Sequence, residues 1–238
     1  MENFTTNLSQ VQIDKGKMQL PVNMILVKMP PAKEIRSKAG VLLNFNEDVL
    51  YGEGEGSHVA DMAPVWGWVY KTPEGLYYNK FDTERSMGWK TSMPLQVGDK
   101  VWFHPLISKN CNQIQTEDAL YKFIPFDDLF VGRRGDEVIC LNGNVIIEPQ
   151  KAPKVSEFDI RDNWDNTKGV VKWVGEPVEE YLHPQVADMV GVKPGDLVML
   201  ERGTFVFYLE RSQYNASFDG DKQYYVVQGR HIIAIVNN

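Results

Sequence analysis

Short apolar runs, each broken by glycine, proline or asparagine, recur along the whole chain. Val22-Asn-Met-Ile-Leu-Val-Lys28 is the first, and Met29-Pro30-Pro31 ends it, because a proline cannot donate to a sheet ladder. Val65-Trp-Gly-Trp-Val-Tyr70 is the next, closed by Thr72-Pro-Glu-Gly75. A strand opened by Gly98-Asp99 follows, then Leu120-Tyr-Lys-Phe-Ile124 and Asp128-Leu-Phe-Val131. The later half holds Asn144-Val-Ile-Ile-Glu148, Lys168-Gly-Val-Val-Lys-Trp-Val174, a strand opened by Gly195-Asp196, Thr204-Phe-Val-Phe-Tyr-Leu209, Tyr224-Tyr-Val-Val227 and His231-Ile-Ile-Ala-Ile-Val236. Runs of this length, rich in β-branched and aromatic residues and punctuated by turn formers, predict an all-β chain, a sandwich or small barrels. Residues 177–190 are the one helical candidate, with Tyr181, Val186, Met189 and Val190 able to share a face.

The pattern occurs twice. Leu95-Gln-Val-Gly-Asp-Lys-Val101 and Val192-Lys-Pro-Gly-Asp-Leu-Val198 each place a Gly-Asp turn ahead of an apolar strand. Glycine supplies the backbone freedom of a tight turn, and aspartate bonds its own main chain just beyond it. The Gly-Asp pairs lie 97 residues apart (195 minus 98), and the asparagines that open the two first strands lie 121 apart (144 minus 23). An internal duplication with unequal loops produces such spacing. The charged, glycine-bracketed Gly132-Arg-Arg-Gly-Asp136 is the predicted boundary. The expected organisation is an N-terminal arm over 1–18, a first unit over 19–132 and a second over 137–238.

Chemistry is sparse. The 238 residues carry a formal net charge of -7, which disfavours the basic face that nucleic-acid binding requires. No apolar run approaches the roughly 18 residues of a membrane-spanning helix, and the N-terminus has no signal-like core, so a cytoplasmic setting is expected. Cys111 and Cys140 lack CxxC spacing and are expected as two buried free thiols. His58, His104, His183 and His231 are scattered, without the spacing of a metal site. The acidic pairs Asp127-Asp128 and Glu179-Glu180 are expected as solvated positions. Gly52-Glu-Gly-Glu-Gly56 is glycine-rich but acidic, which does not suit phosphate. No enzymatic activity, cofactor or metal is expected.

Five motifs in order, the third to fifth of them in both units, resemble the ten-kilodalton co-chaperonins (GroES family). They are Met24-Ile-Leu-Val-Lys28; Lys38-Ala-Gly-Val-Leu-Leu43; Gly67-Trp-Val69 and Gly169-Val-Val171; Val97-Gly-Asp-Lys-Val101, in compressed form, and Val192-Lys-Pro-Gly-Asp-Leu-Val198; and Asp128-Leu-Phe-Val131 and Ile232-Ile-Ala-Ile-Val236. The resemblance implies two tandem GroES-like irregular β-barrels with long loops. It implies a homo-oligomer, in the family a ring, that docks a GroEL-type chaperonin through a mobile loop ending in Gly40, Val41, Leu42 and Leu43. The residues themselves leave another reading open, with Val41-Leu42-Leu43 a barrel strand continued by Phe45. The corresponding stretch of the second unit, 151–167, holds Phe158, Ile160 and Trp164 but no glycine-aliphatic triplet. The insert 79–93, with Phe81, Met87 and Trp89, reads as a packed hairpin. The alternative function is a bacteriophage ring or connector protein with neighbouring virion proteins as partners and no folding role.

Overall fold

The computed structural model describes residues 5–7, 18–21, 23–30, 35–36, 42–43, 65–79, 88–91, 93–104, 107, 111–151, 164–175, 191–202, 204, 207–209, 218 and 222–236. The predicted helix at 177–190 and the 52–57 run lie outside them. The chain divides into two compact units, Met1–Ile139 and Cys140–Asn238.

The first unit contains β1 (Thr5–Asn7), β2 (Met24–Lys28), β3 (Ile35–Arg36), β4 (Leu42–Leu43), β5 (Val65–Lys71), β6 (Leu76–Asn79), β7 (Gly88–Thr91), β8 (Lys100–Phe103), β9 (Gln113–Gln115), β10 (Leu120–Pro125), β11 (Leu129–Arg134) and β12 (Glu137–Cys140). Eight of these form one sheet in the order β1-β9-β10-β2-β5-β8-β11-β12. Three residues of the expected N-terminal arm thus form β1, which pairs in parallel with β9. Gly132 and both arginines of the predicted boundary end β11, and Gly135-Asp136 make the turn into β12. The 79–93 insert is bounded by the hairpin β6–β7.

The second unit contains β13 (Asn144–Lys151), β14 (Trp164–Val174), β15 (Leu197–Leu200), β16 (Phe207–Tyr208), β17 (Tyr225–Gln228) and β18 (Ile232–Val236), in the sheet order β16-β17-β13-β14-β15-β18. Strand for strand, this is the order β9-β10-β2-β5-β8-β11 of the first unit. The match extends to registers. Val27 faces Val69, and Ile147 faces Val171, each beside a register shift at the preceding residue. Val131 faces Trp102 and Ala234 faces Met199, each beside a shift that skips one residue, Phe130 or Ile233.

The same hydrogen bonds hold both Gly-Asp turns. Gly98 N–H donates to Val69 O and Gly195 N–H to Val171 O, each at 2.8 Å. The Asp99 carboxylate accepts from Gln96 N–H, and Asp196 from Lys193 N–H, each at 2.7 Å. Both glycines have positive φ, 95° and 98°, which explains the residue type. Leu95, 2% exposed, is therefore the counterpart of Val192, while Val97 sits at the turn and is 66% exposed. The first copy of the motif is complete, not compressed. The first strands correspond with an offset of 120 (147 minus 27), one less than the asparagines suggested. Gly143 holds the place of Asn23: their φ values are 63° and 60°, and each carbonyl accepts from the N–H that opens a 3-10 turn, Gly229 or Phe126.

One face of the second sheet buries Val145, Ile147, Val171, Val198, Leu200, Tyr225 and Val227. The opposite face carries an aromatic cluster of Trp173, Phe218 and Tyr224. The first unit buries Ile25, Val27, Val69, Val101 and Phe103 at the matching positions, and Leu26, Ile114, Ala119 and Tyr121 on the other face. Lys122, 3% exposed and facing Val27, occupies the position that Tyr225 fills opposite Ile147. Among the described residues neither large sheet closes on itself, so the described fold is two large antiparallel sheets, with β1–β9 the parallel exception, and the two-stranded ladders β3–β4 and β6–β7. In the first unit β11 has β8 on one side and β12 on the other.

Candidate partner-binding site

Of the predicted docking residues, Leu42 and Leu43 form β4, which among the described residues pairs with β3 alone: Ile35 faces Leu43 and Arg36 faces Leu42. Gly40, Val41 and Phe45 lie outside the described residues. The β3–β4 ladder is a sheet of its own and not part of the eight-stranded sheet. It lies in the connection between β2 and β5, which are neighbours in that sheet. The equivalent connection of the second unit joins β13 to β14, and its residues 152–163 lie outside the described residues.

A second candidate surface was not read from the sequence. β18 is the edge of its sheet and bears Ile233, Ile235 and Val236, exposed by 62%, 36% and 37%. Its signal was five consecutive uncharged residues, Ile232-Ile-Ala-Ile-Val236, in a strand with no alternation of apolar and polar positions.

Aromatic residues cluster across β5 and β8. Trp66 and Trp68 meet edge to face, with centroids 4.7 Å apart, and Lys100 Nζ lies 4.0 Å from the Trp66 ring centre and 4.7 Å from that of Trp102. Trp66 faces Trp102 and Trp68 faces Lys100 across the strands, so the ladder itself stacks the ammonium between two indoles. Lys168, Val170, Leu197 and Met199 replace these four in the second unit.

The Asp99 carboxylate, besides closing its turn, accepts from Arg134 Nε at 2.9 Å and Nη2 at 2.7 Å. Nη2 also donates to Pro94 O at 3.0 Å. This bidentate pair pins β11 to the turn that launches β8.

The remaining titratable groups do not converge. Burial lowers the His104 pKa, and its ring lies 6.2 Å from Phe130. His231 Nδ1 lies 3.2 Å from Glu201 Oε2 in the other unit. Burial, then the charge of Asp127, raises the Asp128 pKa. His58, His183, Glu179 and Glu180 lie outside the described residues. Among the described residues no group of three or more His, Cys, Asp and Glu side chains could hold a metal ion, and no helix is long and apolar enough to cross a membrane.

Cys111 and Cys140 are free thiols. Burial pushes the Cys140 thiol from 9.0 up to about 12 and raises that of Cys111 as well. Because the reactive species is the thiolate, both cysteines label more slowly with a thiol reagent at pH 8 on the folded chain than in denaturant, Cys140 the more so. Rapid labelling of the folded chain would contradict this. The folded state is favoured by the raised Cys140 value below pH 9.0, and that contribution is lost as pH rises toward 12.

No protein-family model matches the sequence, and no curated protein matches it.

Proposed function

We propose that the chain is a co-chaperonin-like protein: copies of it assemble into a ring and dock a GroEL-type chaperonin through Gly40, Val41, Leu42 and Leu43 to assist folding. The observation that carries this reading is the position of Leu42 and Leu43 in a ladder outside the eight-stranded sheet. Were they a strand of the main sheet, their aliphatic character would be accounted for by the core. A ladder of two residues per strand is marginal alone, which suits a segment that rearranges on a partner. The matched strand order of the two units supports a duplicated module, and we read each as a GroES-like irregular barrel. Ordering a short segment on binding costs about 2–5 kcal/mol, and several copies around a ring offset that through effective concentration.

Hydrogen exchange tests it. Amides of residues 33–44 exchange rapidly in the free protein and slow at least about tenfold on adding a chaperonin ring with nucleotide, and Leu43→Asp removes the slowing. Absence of any effect of the chaperonin on wild type would refute docking. Protection confined to an assembled virion would favour the bacteriophage ring component instead.

A further inference from the structure

We propose that one face of the first unit's sheet, the row Lys28, Trp68, Lys100 and Arg133 with Trp66 beside it, binds single-stranded nucleic acid. The proposal is separate from chaperonin docking, which uses other residues.

Registers build the row. Lys28 of β2 faces Trp68 of β5, Trp68 faces Lys100 of β8, and Lys100 faces Arg133 of β11. Residues directly opposite across a ladder share a face, so these four side chains stand in line across four neighbouring strands. Strands lie about 4.8 Å apart, which makes the line about 14 Å long. Trp68 is 36% exposed, Lys28 is exposed as well, and Lys100 and Arg133 are half-buried. The next row on the same face is Trp66, Trp102 and Val131. Neither row holds an acid. Lys100 Nζ lies over the rings of Trp66 and Trp102, which fixes its charge beside Trp68. Arg133 Nη2 lies 3.7 Å from a carboxylate oxygen of Asp136, a fully exposed side chain. A pair so open to water is weak and yields to a competing anion.

The second unit shows that the fold does not require these residues. The same registers there build the row Glu148, Val170, Leu197 and Val236, one acid and three aliphatic side chains. Packing therefore leaves the three cations and the exposed indole of the first unit without an explanation.

Their chemistry selects the ligand. Cations in line take an anionic chain, and an exposed indole takes a planar ring. A single strand supplies both, with bases that stack on aromatic faces and phosphates that meet Lys and Arg. A duplex keeps its bases stacked on one another, and an acidic polypeptide offers charge without a planar ring. Lys28 and Arg133 at opposite ends of the row call for phosphates on both sides of the stacked base, which a free nucleotide lacks. The chain's net charge of -7 repels a polyanion away from this row, so binding is strongest at low salt.

A fluorescein-labelled oligothymidylate titrated with the full-length chain at low salt, and followed by anisotropy, should bind and quench tryptophan emission. Three phosphate contacts give a slope of log affinity against log salt of about -2, and Lys28→Gln should bring it to about -1.4. Trp68→Val, which installs the residue type of Val170, should weaken binding at least about fivefold. Both variants should keep the wild-type far-ultraviolet circular dichroism spectrum. If Trp68→Val fails to fold, the quenching and Lys28→Gln decide. Unlabelled strand should displace the probe, and its duplex with oligodeoxyadenylate, thymidine monophosphate and polyglutamate, each at equal charge, should do so at least about tenfold less well. Equal displacement by polyglutamate would make the row a seat for acidic polypeptides. Equal displacement by the monophosphate would make it a nucleotide site, and by the duplex a site for charge alone. Each of these would overturn the proposal, as would no binding at low salt or binding that both variants leave unchanged.

Discussion

Gly67→Ala and Gly169→Ala each destabilise their own unit by about 3 kcal/mol, the top of the ordinary range for overpacking. The reason is close approach. A Cβ on Gly169 would lie 2.3 Å from Ile147 Cγ2 and 2.7 Å from Glu148 O, and one on Gly67 2.4 Å from Val27 Cγ1 and 2.7 Å from Lys28 O. A side-chain methyl can turn away, but a carbonyl engaged in a central ladder moves only with its strand. Each glycine lies two residues before the valine that follows the shared register shift, Val69 or Val171. In urea, with a slope of about 1.5 kcal/mol per molar, the midpoint of the affected unit falls by about 2 M, followed by circular dichroism. A shift under about 0.3 M would show that the strands separate at little cost. The matched pair carries its own check, since the two substitutions should cost the same within about 1 kcal/mol.

Arg134→Ala weakens the first unit by about 2 kcal/mol. It removes two hydrogen bonds from a carboxylate that is 3% exposed, leaving Gln96 N–H to hold it. Loss of a charged partner leaves a desolvated group under-satisfied, which costs more than the bond itself contributes. The figure sits below that for a fully buried pair because the Arg134 side chain is 34% exposed. High salt should recover little of the loss, since screening acts weakly on a buried carboxylate. Asp196→Ala in the second unit removes the corresponding turn bond, from a carboxylate that is less enclosed, and should cost about 1 kcal/mol. Urea unfolding followed by tryptophan fluorescence reports both, and equal losses would show that the arginine adds nothing to the turn.

The class of fold was legible because period-two and fully apolar runs ended at prolines and glycines, as with β2 and Met29-Pro30. The repeat was legible through Gly98-Asp99 and Gly195-Asp196, whose turns share the glycine N–H bond to a valine carbonyl and the bond from a backbone N–H to the aspartate carboxylate. Alignment by residue name failed by one place at the opening strand. Asn23 and Gly143 both serve a left-handed position, which asparagine and glycine tolerate alike, so matching asparagine to asparagine slipped the register. A slip of one residue would turn every side chain of the strand to the opposite face. In the same way Val97 stood in for Leu95, because apolar letters do not say which residue lies at the turn. The charged stretch after Gly132 resembled a linker in composition, yet Arg133 Nε donates to Gly135 O and holds a hairpin turn. The Asp99–Arg134 pair joins residues 35 apart in sequence, and the exposure of β18 depends on what a neighbouring strand does or does not cover. Neither can be read locally. Of the proposed docking residues, Leu42 and Leu43 are described, and the separation of their ladder from the eight-stranded sheet among the described residues was equally beyond a local reading.

The unequal connections of the two units have a practical consequence. Thirty-eight residues separate Lys28 from Gly67, and twenty separate their counterparts Glu148 and Gly169, yet the flanking registers agree. By the logarithmic closure law that difference in length costs only about 0.6 kcal/mol. The same pair of central strands is thus closed by connections of very different length, and the ladder does not depend on the longer one.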